Sequence, residues 1–299
     1  MIKKQVLPNL KQVQARRKLR LSGNIAKAIL LLILFTPSLA HAEVVKGQQN
    51  IRYDVYAGGI HALQSNLNID LSNKDTYSLN LKAKTYGLLG KMAPWEGSFF
   101  SKGWSGDSFK PEQHVSSGTW RDEVETKEYR YNQDGSFGSY QVTKNKKVAV
   151  KKDVSAKLTD ETSDMLSATL NTMKQIAAKG KCEGSTDVFD GKRRFKLMFQ
   201  ERGTVELKAS RWNVYGGSAV ECTAEVQPIA GKWHEKPRGW MSIQEQGRER
   251  GTMPTVWFAN ITEGQPAVPV KVRVKTSYGT LFMHMTKYET AGKTLSLKK

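Results

Sequence analysis

Apolar side chains recur at every second position along much of this chain, and that period of two confines it to β-strands with one buried face. Tyr53, Val55 and Ala57 alternate with Arg52, Asp54 and Tyr56. Leu67, Ile69 and Leu71 are separated by Asn68 and Asp70, and Tyr77, Leu79, Leu81 and Ala83 by Ser78, Asn80 and Lys82. Far downstream, Val270, Val272 and Val274 alternate with Lys271 and Arg273. A sheet with one wet face is antiparallel as a rule, because parallel sheets are covered on both sides. The turns agree. Gly58-Gly59, Asp134-Gly135 and Asp190-Gly191 stand between consecutive runs and readily take the positive backbone angles of tight hairpins. Turn spacing of this kind predicts about a dozen strands.

One stretch breaks the period. From Asp160 to Lys179, the residues Leu166, Leu170, Met173 and Ala177 recur at spacings of four, three and four, which predicts an amphipathic helix over 160–179. Thr159 is its expected N-cap, Asp160 and Glu161 complement its positive end, and Lys179-Gly180 stop it. The helix separates two groups of strands, 49–155 and 182–290, with no Pro- or Ser-rich linker between them. The expected fold is therefore mainly β: a strongly curved antiparallel sheet, half-barrel or spiral. The one central amphipathic helix packs against its concave apolar face.

Residues 1–42 carry an address rather than a fold. Eight basic side chains and no acids precede the uncharged apolar run Ala28–Ala40, which ends in Ala40-His41-Ala42. That is the pattern of a cleavable secretory signal. As a helix the run reaches about 20 Å, short of the roughly 30 Å needed to span a bilayer. Residues 43–299 are then expected as a single mature β-rich domain in the periplasm. The whole chain holds 47 basic and 28 acidic side chains. Without the leader the balance is 39 to 28, a net charge of +11. Such a field either favours anionic partners, phospholipid headgroups and envelope polymers among them, with peripheral membrane contact open, or serves solubility alone. An exported chain has no expected nucleic-acid partner.

Cys182 and Cys222 are the only cysteines. An even pair in an oxidising compartment reads as a disulfide. Two cysteines this far apart, with no histidine in CxxC-type spacing, make no zinc site. The run Lys144, Lys146, Lys147, Lys151 and Lys152 contains no acid. It reads either as a basic patch for an anionic ligand or as a solvated strand edge, where lysine discourages edge pairing. Lys192-Arg193-Arg194, after an Asp-Gly turn, has the same two readings. The segment Gly87–Trp95 is apolar with neither strand nor helix period. Leu88, Leu89, Met92 and Trp95 fit either the mouth of an apolar ligand site or a loop plugging the core. Of the seven tryptophans, most are expected in the core.

No catalytic constellation stands out, and no cofactor or metal is implied. His234-Glu235 lacks the second histidine of HExxH. Gly103-Trp104-Ser105-Gly106 has Asp107 where a nucleophile elbow needs glycine. A phosphate-cradling GxxxxGK[ST] motif is absent as well.

Several local motifs resemble the bacterial envelope proteins grouped as domain of unknown function 3108. They begin with Tyr53-Asp54-Val55-Tyr56-Ala57-Gly58-Gly59 and Thr85-Tyr86-Gly87-Leu88-Leu89-Gly90, followed by Pro94-Trp95. Asp164-Met165-Leu166-Ser167-Ala168 and Val188-Phe189-Asp190-Gly191-Lys192-Arg193-Arg194-Phe195 continue the order, the second being the most specific. Later matches are Cys222 leading to Pro228-Ile229-Ala230-Gly231, and Val268-Pro269-Val270 followed by Tyr278-Gly279. Met165 stands where a proline is common in that family. The resemblance implies an exported antiparallel β protein and supplies no catalytic residues. By looser analogy such sheets are similar to periplasmic carriers of lipoproteins and envelope lipids. The expected role is non-catalytic binding or carriage of an apolar or lipid-like ligand in support of the cell envelope of a Gram-negative bacterium. The alternatives are an adaptor that binds another envelope protein through sheet edges, and an envelope hydrolase.

Overall fold

The computed structural model describes residues 47–145, 147–151, 154–277 and 279–297. The expected leader 1–42, Lys146, Lys152 and Tyr278 lie outside them. The first half of the chain is a meander: β1 (Gln48–Ala57), β2 (Ile60–Asp70), β3 (Thr76–Thr85), helix α1 (Gly87–Met92), β4 (Trp95–Trp104), β5 (Lys110–Trp120), β6 (Glu123–Tyr131), β7 (Phe137–Lys144) and β8 (Lys147–Lys151). Helices α2 (Ala156–Thr159) and α3 (Met165–Lys179) follow. The second half holds β9 (Gly184–Phe189), β10 (Arg193–Leu207), β11 (Gly217–Gly231), α4 (Trp240–Glu249), β12 (Thr255–Ala259), β13 (Val268–Thr276), β14 (Gly279–Thr290) and β15 (Lys293–Ser296).

All fifteen described strands form one sheet, in the order β8-β7-β6-β5-β4-β3-β2-β1-β14-β13-β12-β11-β10-β9, with β15 also on β14. Each pairing in it is antiparallel, as the alternation requires. The two halves of the chain join where β1 pairs with β14, Val55 opposite Met283. Register shifts at Arg52/Tyr53, Val55/Tyr56 and Lys102/Gly103 are bulges, which bend a strand and increase its twist.

The sheet rolls until β9 packs on β6 and β7 through side chains, with no ladder between the end strands β8 and β9 among the described residues. Phe189, at the end of β9, packs edge-on against Tyr129, Phe137 and Tyr140 of β6 and β7, with ring centres 5.4–6.0 Å apart. The turn beyond it settles on the same tyrosines. A Cβ on Gly191 (φ +91°) would lie 2.7 Å from the Tyr140 hydroxyl and 2.8 Å from that of Tyr129, so only glycine closes this seam. Burial, then the charges of Glu125 and Asp190, push the Tyr140 phenol up to about 12.

Helix α3 lies inside the roll. Ala168, Leu170, Met173 and Ile176 are at most 3% exposed and join Ile51, Tyr53, Ile69, Tyr77 and Leu79 of the inner face. The helix starts later than the period suggests. Its N-cap is Asp164, whose Oδ1 accepts from the Leu166 and Ser167 backbone N–H groups, whereas Thr159 ends the separate turn α2. The expected Asp160 and Glu161 therefore lie before the helix, not in its first turn. The end is as expected, with Gly180 left-handed. The Cys182–Cys222 disulfide forms, joining the segment after α3 to β11 with Cα atoms 6.2 Å apart.

Two elements and most of the tryptophans depart from expectation. Gly87–Met92 is a short helix, not irregular backbone. Helix α4 carries Gln244, wholly buried, whose amide bonds both the N–H and the C=O of Val226. Only Trp257 is fully buried; Trp120, Trp212 and Trp240 are 37–48% exposed.

Candidate functional site

Residues directly opposite in a β-ladder share a face, so the inner surface can be followed from strand to strand. Tyr53, Ile69 and Leu79 mark the part that α3 covers. Further along the same inward rows lie Val55, Leu63, Leu81 and Ala83, with Leu81 opposite Phe99 and Val55 opposite Leu63. All five are half-buried and stand outside the core cluster. The inward apolar rows thus run on past the helix. Their outward neighbours are Arg52, Asn66, Lys82 and Lys84, all exposed.

The residues expected at a ligand mouth sit at the end of this floor. Leu88, Leu89 and Met92 lie on α1, in the β3–β4 connection, and Leu88 and Met92 are 65% and 70% exposed. They neither plug the core nor enter it. Trp95 follows on the inner face, its indole lying 2.7 Å from where a Gly97 Cβ would be and close to Gly118. Bare glycine backbone on β4 and β5 leaves the space for that ring. The neighbouring hairpin ends add exposed Ile60, Trp120 and Val124 to the same rim, with Lys84, Lys91 and Arg121 exposed among them.

The covered part of the inner face is anchored by a polar latch that no sequence period revealed. Ser101 Oγ (β4) donates to Asp164 Oδ1 at 2.7 Å, and Ser167 Oγ donates to Oδ2 at 2.5 Å. With the Ser167 hydrogen committed, Tyr77 Oη donates to Ser167 Oγ at 2.6 Å. His114 Nδ1 lies 2.7 Å from Ser101 Oγ and 3.1 Å from Asp164 Oδ1. Burial alone would raise the Asp164 carboxyl, but the hydrogen bond and charge of His114 and the two serines outweigh it and hold it below its ordinary 3.8. Although serine, histidine and aspartate meet here, Ser101 gives its hydrogen to the carboxylate, so Nδ1 faces it as a donor and cannot take its proton. A nucleophile needs the opposite. The motif Asp164–Ala168 is thus a helix anchor. Of the other histidines, His234 is exposed, and His284 is held below its ordinary 6.5 by burial and then by Lys271.

The basic candidates are placed as follows. Lys144 Nζ pairs with Glu125 at 2.8 Å, and Lys147 and Lys151 belong to β8, the edge strand. Arg193 Nε and Nη2 grip Asp190 at 2.8 and 2.6 Å, and Arg194 grips Asp187 in the same way. Among the described residues no group of His, Cys, Asp and Glu is arranged to hold a metal.

Fold and site together define a mainly β protein on one rolled antiparallel sheet, with a helix covering part of the inner face and apolar floor left beside it. The chain belongs to the family described as "Protein of unknown function (DUF3108)", which it matches over residues 52–286. It is similar to a solved structure from Brucella abortus, a beta-barrel-like protein of domain of unknown function DUF1849. The TM-score is 0.44 and the identity 11%, over 83% of this chain and 99% of that one. No curated protein matches.

Proposed function

We propose that this protein binds an apolar or lipid-like ligand without catalysis. In this reading it works in the periplasm of a Gram-negative bacterium in support of the cell envelope, with residues 1–42 removed as a leader. One observation carries the reading. The inner apolar face continues past α3, is left half-buried, and ends at a rim of exposed apolar side chains. Acyl chains lie on Val55, Leu63, Leu81 and Phe99, with Leu88, Leu89, Met92 and Trp95 at the mouth. The disulfide suits an oxidising compartment, and the net charge of residues 43–299 suits an anionic ligand. The adaptor reading has less behind it. The β9 edge is bridged by Ser163 and the β8 edge carries lysines, both of which discourage strand addition.

The test is native mass spectrometry of protein expressed from the full chain, together with displacement of a fluorescent fatty-acyl probe. A stoichiometric lipid adduct is expected, and Phe99→Gln weakens probe binding by about tenfold, the loss of part of one aromatic's buried surface. A folded protein that carries no adduct and binds no probe overturns the reading.

A further inference from the structure

The seam where the sheet closes carries a groove of about 840 Å³ between β6, β7 and the β9–β10 turn. Lys127, Lys192, Arg193, Lys232 and His234 line it, against one carboxylate, Asp190. That carboxylate is already spent. Its Oδ2 takes the Arg193 guanidinium and its Oδ1 the backbone N–H groups of Lys192 and Arg193. Arg193 is also stacked over the Trp233 ring, 4.6 Å from its centre, so its plane is fixed in advance. Lys192 and Lys232 are exposed and pair with no carboxylate among the described residues. Lys127 is shared with Glu125 at 3.5 Å. Gly191 keeps the floor low, because any side chain there would strike the Tyr140 and Tyr129 hydroxyls.

The groove adjoins the apolar floor. Lys127 stands opposite Ser116, and Ser116 opposite Phe99, so Lys127 lies two strands from Phe99 on the inner face, about 10 Å at ordinary strand spacing. Several cations converging on one space suit an anion with several charged oxygens better than a single carboxylate. The volume exceeds what a bare phosphate fills and lies in the range of small-molecule sites.

Resting on the ligand class proposed above, we infer that this seam groove holds the phosphate-bearing head of the same amphiphile whose chains lie on the apolar floor. The Asp190–Arg193 turn then acts as a headgroup clamp, with Lys192 and Lys232 as its free charges.

The experiment measures binding of three probes by titration calorimetry: dioctanoylglycerol phosphate, uncharged dioctanoylglycerol, and inorganic phosphate. The protein is compared with Lys192→Ala/Lys232→Ala, which removes two exposed side chains and leaves the fold intact. The phosphate amphiphile is expected to bind about tenfold or more tighter than the neutral one, the scale of two lost charge-assisted contacts. The double variant is expected to erase that preference while leaving the neutral amphiphile's affinity unchanged. A preference that survives in the double variant overturns the groove as the site. Inorganic phosphate binding as tightly as the amphiphile, and lost in the double variant, overturns the lipid headgroup in favour of free phosphate. If neither amphiphile binds, the apolar-floor reading falls, and the inorganic phosphate titration still reads the groove separately.

Discussion

The inner face of the sheet has two parts built from the same alternating strands. Along β3, Tyr77 and Leu79 are 2% exposed, whereas Leu81 and Ala83, next in the same row, are half-buried. Nothing in the strands accounts for the difference. It comes from α3, tied over the first part by Asp164, Ser167 and Asn171. The last of these exchanges two hydrogen bonds with the Phe109 backbone, at 2.7 and 2.9 Å. Alternation makes an apolar face, and a tethered helix decides how much of it becomes core. The part left over is the part on which the proposed ligand would lie.

The comparison breaks most completely if the tether is cut. Asp164→Ala removes the acceptor for Ser101, Ser167 and two backbone N–H groups, leaving buried donors unpaired. It is expected to cost about 3–5 kcal/mol, the scale for breaking a buried polar pair, measured by urea unfolding. The same carboxylate sets an acid limit. Its folded pKa lies below the ordinary 3.8, so as pH falls the unfolded chain takes up the proton first. Its contribution is complete above about 3.8 and is lost as pH drops through the folded value. Asp164→Asn is expected to flatten stability against pH in that window, and an unchanged acid limb rules the latch out as its cause.

Removing the Cys182–Cys222 bond releases a 40-residue separation and is expected to cost about 4 kcal/mol in the chain-entropy account. The bond pins the end of α3 to β11, so amide exchange of α3 is expected to rise more than that of β2 and β3. Uniform loss of protection would show that covered and open parts unfold as one unit.

Much of this was legible beforehand, for reasons that differ by element. The strands and hairpin turns announce themselves, because a period of two and Asp-Gly are local signals. The buried stripe of α3 is equally local. Its true start was not, since Thr159 and Asp164 are both good caps by composition, and it is Asp164 that meets Ser101 on β4 and His114 on β5. Helix α4 is short, and its one buried polar side chain, Gln244, is fixed by a partner on β11. The open floor was invisible as such. Leu79 and Leu81 belong to one unbroken pattern, and what separates them is a helix nearly a hundred residues away. The seam groove joins Lys127, Lys192 and Lys232 only after the sheet has closed.

Leu170, wholly buried under the tether, measures the covered part. Leu170→Ala is expected to cost about 2–5 kcal/mol, the transfer of a buried leucine plus the cavity it leaves. A cost near zero would mean that α3 is not packed as described.

Leu88 and Met92 measure the rim, and their effect on stability is the smallest. Leu88→Ala/Met92→Ala is expected to change unfolding by within about 0.5 kcal/mol, since surface substitutions remove little buried area. Its signature lies elsewhere: acyl-probe affinity falls while the urea midpoint stays put. The opposite outcome, a shifted midpoint with unchanged affinity, would make α1 a structural cap on the β3–β4 connection and move the ligand mouth away from this rim.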